Sequence, residues 1–99
     1  MKVSMQVEAA NAAARKGTLA STIQSILADL KPESAYFLDW DGKRTGFLCF
    51  EMQDASQIPA VAEPWFLAFN ATVEIHPVMV PADLAKAGPG IDATVKKYT

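Results

Sequence analysis

The only histidine in the chain, His76, stands two residues after Glu74 in the segment VEIHPVMVP. Histidine is the usual side chain for proton transfer near neutral pH, and a carboxylate on the same strand face can orient it. Two interpretations are open at this point. His76 is a general base, or it is hydrogen-bonded within an interface between subunits, because structural networks also bring polar side chains together.

Metal binding is the other chemistry that His76 and Glu74 could support. Glu8 and Glu51 could add carboxylate ligands, but one histidine with no fixed ligand spacing is a weak metal signal. The lone cysteine, Cys49, excludes an intramolecular disulfide and a zinc site built from several cysteines. We therefore predict neither a metal site nor a cofactor.

Aromatic side chains form a second group with a potential binding role. Tyr36, Trp40 and Phe47 could line a pocket for a flat, apolar small molecule, or they could form the packed centre of a dimer interface. With the polar residues above, the complete set of candidate pocket residues is Tyr36, Trp40, Phe47, Glu51, Glu74 and His76.

The elements that position these residues follow from hydrophobic periodicity. Alternation in KVSMQVE predicts a first strand with Val3, Met5 and Val7 on one face. A helical stripe follows at Leu19, Ile23, Ile26, Leu27 and Leu30, and Pro32 ends that helix. The helix starts near Asn11, or Gly17 ends a short first turn and Thr18 caps a second helix.

The segments SAYFLDW and TGFLCFEM flank DGKR, and Asp-Gly between two such runs predicts a hairpin. A loop of two or four residues places Tyr36, Leu38, Trp40, Phe47, Cys49 and Glu51 on one face. The other face then carries Ala35, Phe37, Leu48 and Phe50, whereas a three-residue loop reverses the assignment.

The remainder of the chain predicts a second helix, a fourth strand and a tail. QIPAVAEPWFLAFN is helical, with Pro64 inside its apolar stripe. TVEIHPVMV alternates as a strand in which Val73, Ile75 and Met79 face the helices. Pro77 cannot donate a ladder hydrogen bond, so this strand belongs at a sheet edge. Residues 82–99 form a helical tail that is interrupted at Gly-Pro-Gly.

The element order β-α-β-β-α-β predicts an α+β, ferredoxin-like fold in a single domain over residues 1–99. Two right-handed crossovers place both helices on one face of a four-stranded antiparallel sheet, with spatial order fourth, first, third, second. The opposite face carries Tyr36, Leu38, Trp40 and Phe47, which is too aromatic for a face exposed to solvent. We therefore expect a partner surface to cover it.

The stretches LKPESAYFLDWDGKRTGFLCFEM, QIPAVAEPWFLAFNATVEIHPVM and ADLAKAG resemble a small uncharacterised bacterial family of the dimeric α/β-barrel superfamily. The resemblance implies a homodimer in which two ferredoxin-like sheets meet face to face. The resemblance implies a second location for a pocket, between sheet and helices, with Trp65, Phe66 and Phe69 as its lining, although their helical spacing is more typical of a core. It also implies two possible functions. One is a small-molecule-binding or structural protein, and the other is a cofactor-independent monooxygenase or isomerase acting on an aromatic or polyketide-like substrate, with His76 moving a proton.

Composition limits the remaining partners. The chain has 99 residues, a net charge of −2 and charges of both signs along its length, so it offers no basic stripe for nucleic acid and no polybasic membrane patch. No continuous apolar run indicates a signal peptide or a transmembrane helix. We expect a cytoplasmic protein whose partners are a second copy of itself and a small apolar or aromatic ligand.

Overall fold

A computed structural model describes all 99 residues as an α+β fold, with four helices and a four-stranded antiparallel sheet. The strands are β1 (Lys2–Ser4), β2 (Ser34–Trp40), β3 (Lys43–Cys49) and β4 (Thr72–Glu74). The helices are α1 (Val7–Lys16), α2 (Leu19–Leu30), α3 (Ile58–Phe69) and α4 (Pro81–Tyr98). A single 3-10 turn, Ala55–Gln57, leads directly into α3.

The strands lie in the spatial order β2-β3-β1-β4, which reads β4-β1-β3-β2 from the opposite edge. β3 is antiparallel to both of its neighbours, β1 and β2, and β4 is antiparallel to β1. β1 and β2 are therefore parallel to each other on either side of β3. The connection between them must cross one face of the sheet, and α1 and α2 form that connection.

The first strand is shorter than its alternating pattern predicts. It ends at Ser4, and α1 begins at Val7, which is exposed, so that Glu8 lies in the first turn of a helix rather than on a strand. Gln6 donates its backbone N–H to the carbonyl of Phe69, which takes the chain out of the β1 ladder. The alanine-rich segment that follows has high helix propensity, and this outweighs the alternation.

The predicted helical region is divided into two helices at Gly17. Gly17 adopts a left-handed conformation with φ of 76°, and its N–H bonds the Ala14 carbonyl while the N–H of Thr18 bonds that of Ala13. A left-handed glycine with these two backbone hydrogen bonds is typical of the end of a helix. Thr18 stands at the start of α2, but its hydroxyl donates to Ala13 and does not cap α2. The predicted end before Pro32 is confirmed, because α2 finishes at Leu30.

The hairpin is confirmed with its two-residue loop. Asp41 and Gly42 have φ values of 52° and 73°, as the tight turns that join twisted strands require. Tyr36 is paired with Phe47, and Leu48 is paired with Ala35. The predicted division between the two faces is therefore correct for the paired residues up to Cys49, whereas Phe50 and Glu51 lie beyond β3.

Gly42 offers a direct test of this turn. Replacing it with alanine should lower the free energy of unfolding by about 1 kcal/mol, because a Cβ atom is disfavoured at positive φ even where space is free. Urea denaturation measures the change. Gly90→Ala is the matched control, since Gly90 lies in a helix with open space around it and has no positive φ. A Gly42→Ala variant as stable as the control would contradict the turn assignment.

The core lies between the sheet and helices α1, α2 and α3. It is formed by Val3, Met5, Ala10, Ile26, Leu48, Trp65 and Phe69. Trp65 and Phe69 are completely buried, which agrees with a core role for their helical stripe. Pro64 is accommodated inside α3, although it removes one backbone hydrogen bond.

The turn before α3 is stabilised by reciprocal hydrogen bonds. The Asp54 carboxylate accepts from the Ser56 backbone N–H at 2.7 Å and from the Ser56 hydroxyl, and Gln57 Oε1 accepts from the Asp54 N–H. Hydrogen bonds from the Ser56 hydroxyl and N–H favour the charged form and hold the pKa of Asp54 below its usual value. The turn therefore keeps an ionised acceptor at neutral pH.

The prediction of a long fourth strand is wrong. β4 ends at Glu74, so His76 and Pro77 lie beyond the sheet, and Met79 is 66% exposed instead of facing the helices. The ladder between β4 and β1 ends at the pair Glu74 and Lys2, and Pro77 has no backbone N–H with which pairing could continue. β4 is at an edge of the sheet, as expected, but Pro77 is not part of this strand.

The tail is a continuous helix, not two pieces separated at Gly-Pro-Gly. α4 includes Gly88, Pro89 and Gly90 in its interior, because a proline removes only one helical hydrogen bond and does not forbid the helix. α4 packs extensively against no other element, and none of its residues is buried. The chain therefore measures 59 × 27 × 21 Å along its principal axes, which is elongated for its length.

Candidate functional site

The sheet face opposite the helices brings several predicted site residues into one row. Glu74 of β4 pairs with Lys2 of β1, Lys2 pairs with Phe47 of β3, and Phe47 pairs with Tyr36 of β2. Directly opposed residues of neighbouring strands project from the same face. The row therefore runs across all four strands, from a carboxylate through a cation to two aromatic rings.

Four large apolar side chains stand on this face: Tyr36, Leu38, Trp40 and Phe47, here called the open face. Their exposed fractions are 69%, 38%, 45% and 37% in that order. They are neighbours on a rigid hairpin, so their exposed areas form a continuous patch. Patches of this kind on a folded chain mark interfaces or ligand sites.

The centre of the open face is ordered by aromatic contacts. Trp40 and Phe47 meet edge to face, with ring centroids 5.8 Å apart and planes at 74°. Lys2 Nζ lies 4.7 Å from the centroid of the Trp40 ring, within cation–π range. The arrangement offers a flat π surface beside a positive charge, which can hold a planar apolar molecule or a second protein surface.

Lys2 is a site residue that the sequence interpretation missed. The side of the sheet on which Lys2 lies could have been inferred from sequence. The alternation that places Val3 on the helix-facing side also places Lys2 on the open face. A lysine at a chain terminus is usually a solvated charge. Its position over Trp40 depends on the register between β1 and β3, which periodicity within one strand does not define.

The structure does not place all the predicted site residues on the sheet. Tyr36, Trp40, Phe47 and Glu74 lie on strands, whereas Glu51 lies two residues beyond β3 and His76 two residues beyond β4. Glu51 and His76 are both exposed. The strand face that was expected to align His76 with Glu74 ends at Glu74.

A groove of about 670 Å³ lies on the helix-facing side, near the hairpin turn. Met5, Ile23 and Phe37 supply its apolar lining, and Arg44 and Asn11 stand at its polar part. Arg44 Nη1 donates to Asn11 Oδ1 at 2.8 Å. The groove could hold an apolar molecule with an anionic group near Arg44, because guanidinium binds carboxylates well.

Sequence reasoning anticipated a pocket between sheet and helices but named the wrong lining. Trp65 and Phe69 are wholly buried core residues, and only Phe66 of that set is exposed. Phe37 was expected to be covered by helices, yet it is 47% exposed beside the groove. The division of the helical region at Gly17 changes how the helices cover the sheet, and a single continuous helix would not have suggested this space.

No group of three or more His, Cys, Asp or Glu side chains is placed to hold a metal ion. None of the helices combines the length and apolar character needed to cross a bilayer. The open face combines exposed aromatic rings with the cations of Lys2 and Lys43 and the carboxylate of Glu74.

Comparison with known proteins gives one match. A family model described as "Domain of unknown function (DUF3303)" matches residues 2–91. The matched range includes every strand, the open face, the groove and the first half of α4. No curated protein and no solved structure matches significantly.

Proposed function

We propose that this chain, which belongs to the DUF3303 family of domains of unknown function, forms a homodimer that binds a small apolar or aromatic molecule. Two copies would join through their open faces in the manner of a dimeric α/β barrel. The observation that carries this proposal is the exposure of Tyr36, Leu38, Trp40 and Phe47 on one sheet face. No other element of the chain covers them.

The physical case for pairing rests on the contrast between the two faces of the sheet. An antiparallel sheet with one solvated face normally carries polar side chains there. The open face instead carries a tryptophan and a phenylalanine in edge-to-face contact. Aromatic residues are enriched at the centres of protein interfaces, where their burial contributes most of the binding free energy.

The topology supports a ferredoxin-like assignment for the single domain. β1 and β2 are parallel with β3 between them, and the three helices that cover the sheet are on one side. This is the arrangement that a split β-α-β unit generates. A second copy is a suitable cover for the open face, because two such sheets are matched in size.

The ligand would lie where the open faces meet, beside the row that ends in Glu74. Lys2 and Glu74 are polar members of that row, so they would keep part of the interface hydrated and could hold a polar substituent. The groove beside Phe37 and Arg44 is the second location for a ligand. The composition of both locations favours a planar, mainly apolar molecule.

The alternative function is a cofactor-independent monooxygenase or isomerase acting on an aromatic or polyketide-like substrate. His76 would then move a proton while Tyr36 or Trp40 positions the substrate. His76 follows β4 closely in the chain, so it could approach the edge of the open face in a dimer. A purely structural dimer is the third outcome, and it requires no ligand. In each case we propose a cytoplasmic protein that binds neither nucleic acid nor membranes.

Native mass spectrometry of protein purified from its own host tests the binding proposal. The expected spectrum shows a dimer with added mass, which is released into an organic extract and identified there. A dimer without added mass would support the structural role instead. A variant in which Arg44 is replaced by glutamine distinguishes the locations, because it removes the guanidinium of the groove, leaves Lys43 in place and changes no residue of the open face. Retention of the ligand by this variant would favour the open face.

His76→Ala separates binding from catalysis. Because His76 is exposed and outside the sheet, we expect the variant to stay dimeric with a free energy of unfolding within about 0.5 kcal/mol of the parent. Urea denaturation and sedimentation measure these properties. If the enzyme alternative is right, turnover of the extracted ligand falls at least about a hundredfold while binding persists. Loss of dimerisation would instead place His76 in the interface.

A further inference from the structure

α4 carries an apolar stripe that nothing in the chain covers. Leu84, Gly88, Ile91, Val95 and Tyr98 recur at alternating intervals of four and three residues. At 100° per residue this spacing places all five on one narrow side of the helix. Leu84, Ile91 and Val95 are each more than half exposed.

The helix has little intrinsic stability of its own. Gly88, Pro89 and Gly90 lie in its interior, and these are the residue types with the lowest helix propensity. Most of the stability of helices in proteins comes from packing of an apolar face rather than from propensity. An 18-residue helix with such a sequence therefore needs a packing partner, and the body of the same chain does not supply one.

We propose that α4 packs antiparallel against α4 of a second copy of this chain. With the helix ends aligned, Leu84 of one copy lies against Val95 of the other, and Gly88 lies against Ile91. The absence of a side chain at Gly88 leaves room for the branched Ile91 at the centre of the pair. Each helix is about 27 Å long, so the stripe would be covered along its whole length.

Charge favours the antiparallel orientation. Asp83 is in the first turn of α4, and Lys97 is in the last turn. At 100° per residue they lie about 100° and 140° from the middle of the stripe, so they do not form an ion pair across it. Antiparallel pairing still places the acidic first turn of each copy near the basic last turn of the other, whereas parallel pairing places like charges at the same end.

This contact is separate from the open-face contact. α4 is joined to β4 by residues 75–80, which belong to no helix or strand, and it packs extensively against no other element. Its stripe therefore needs a second copy but not the pairing of the sheets. Either contact can fail while the other is present. The test is therefore repeated in a background that carries Trp40→Glu on the open face.

Disulfide trapping in the full chain tests the pair. A variant with Cys49→Ser, Leu84→Cys and Val95→Cys is oxidised and compared with a control that carries Cys49→Ser, Lys86→Cys and Ala93→Cys. The control cysteines occupy equivalent positions along the helix but on its opposite side. Circular dichroism verifies that both variants are folded.

We expect the stripe variant to form a covalent dimer at least about tenfold faster than the control, because pairing holds its thiols at a high effective concentration. The same ratio between the two rates of dimer formation in the Trp40→Glu background would support the α4 pair even if the sheets do not associate. Equal rates for the stripe variant and the control would overturn the proposal. Efficient trapping through Leu84→Cys alone would also overturn it, because that result requires parallel helices.

Discussion

Replacing Trp40 with glutamate is expected to weaken the homodimer by about a thousandfold in Kd. Burying a carboxylate in the dimer interface costs several kcal/mol of desolvation, which pairing with Lys2 would offset only in part. Trp40 is 45% exposed in the single chain, so the substitution removes little from the core. The variant should therefore remain folded. In a Leu84→Glu background, which disrupts the separate α4 contact, sedimentation equilibrium should show mostly monomer at micromolar concentration.

Leu67→Glu is the matched control for Trp40→Glu. Leu67 is also a large exposed apolar residue, but it lies on α3, on the opposite side of the sheet from the open face. Its replacement introduces the same charge without affecting the proposed interface, so the dimer should persist. Equal weakening by both substitutions would indicate a general effect of charge, and an unchanged Kd for Trp40→Glu would remove the open face from the interface.

Replacing Trp65 with alanine should have the largest effect on stability. Trp65 is completely buried and packs against Phe69, with ring centroids 6.2 Å apart. Truncation of a buried tryptophan typically lowers the free energy of unfolding by about 3–5 kcal/mol, which is comparable to the whole stability of a small domain. We expect a chain that is largely unfolded at 37 °C, as circular dichroism would show.

Trp65→Phe gives the informative comparison. The indole N–H of Trp65 is buried without a hydrogen-bond partner, so phenylalanine keeps a ring in the core and removes an unsatisfied donor. The free energy of unfolding should fall by about 1.5 kcal/mol or less, which is much smaller than the decrease for Trp65→Ala. If phenylalanine is as harmful as alanine, the N–H has a partner that the single chain does not contain.

The hairpin and the core were predictable because their signals are local. Asp41 and Gly42 define the turn length, and the turn length defines which hairpin residues form the open face. Trp65 and Phe69 are one helical turn apart, so their common burial follows from helix geometry. The aromatic part of the candidate site could therefore be predicted from sequence.

The ends of elements were not predictable, because they depend on distant partners. β4 ends at Glu74, opposite Lys2, so the position of His76 depends on where the pairing with β1 ends. Met5 remains buried although β1 has already ended at Ser4. α4 is continuous through Pro89, whereas composition predicts a break there. The cation–π contact of Lys2 with Trp40 likewise requires the register of two separate strands.

Iodide quenching of tryptophan fluorescence as a function of protein concentration tests the open-face dimer most directly. The chain has two tryptophans, of which Trp65 is fully buried and Trp40 is 45% exposed. Quenching therefore reports on Trp40, and a Trp40→Phe variant gives the background from Trp65. The account predicts strong quenching of Trp40 at nanomolar concentration and protection at concentrations where sedimentation shows twice the chain mass of 10.7 kDa. A dimer in which Trp40 remains as accessible to iodide as in the dilute protein would contradict it.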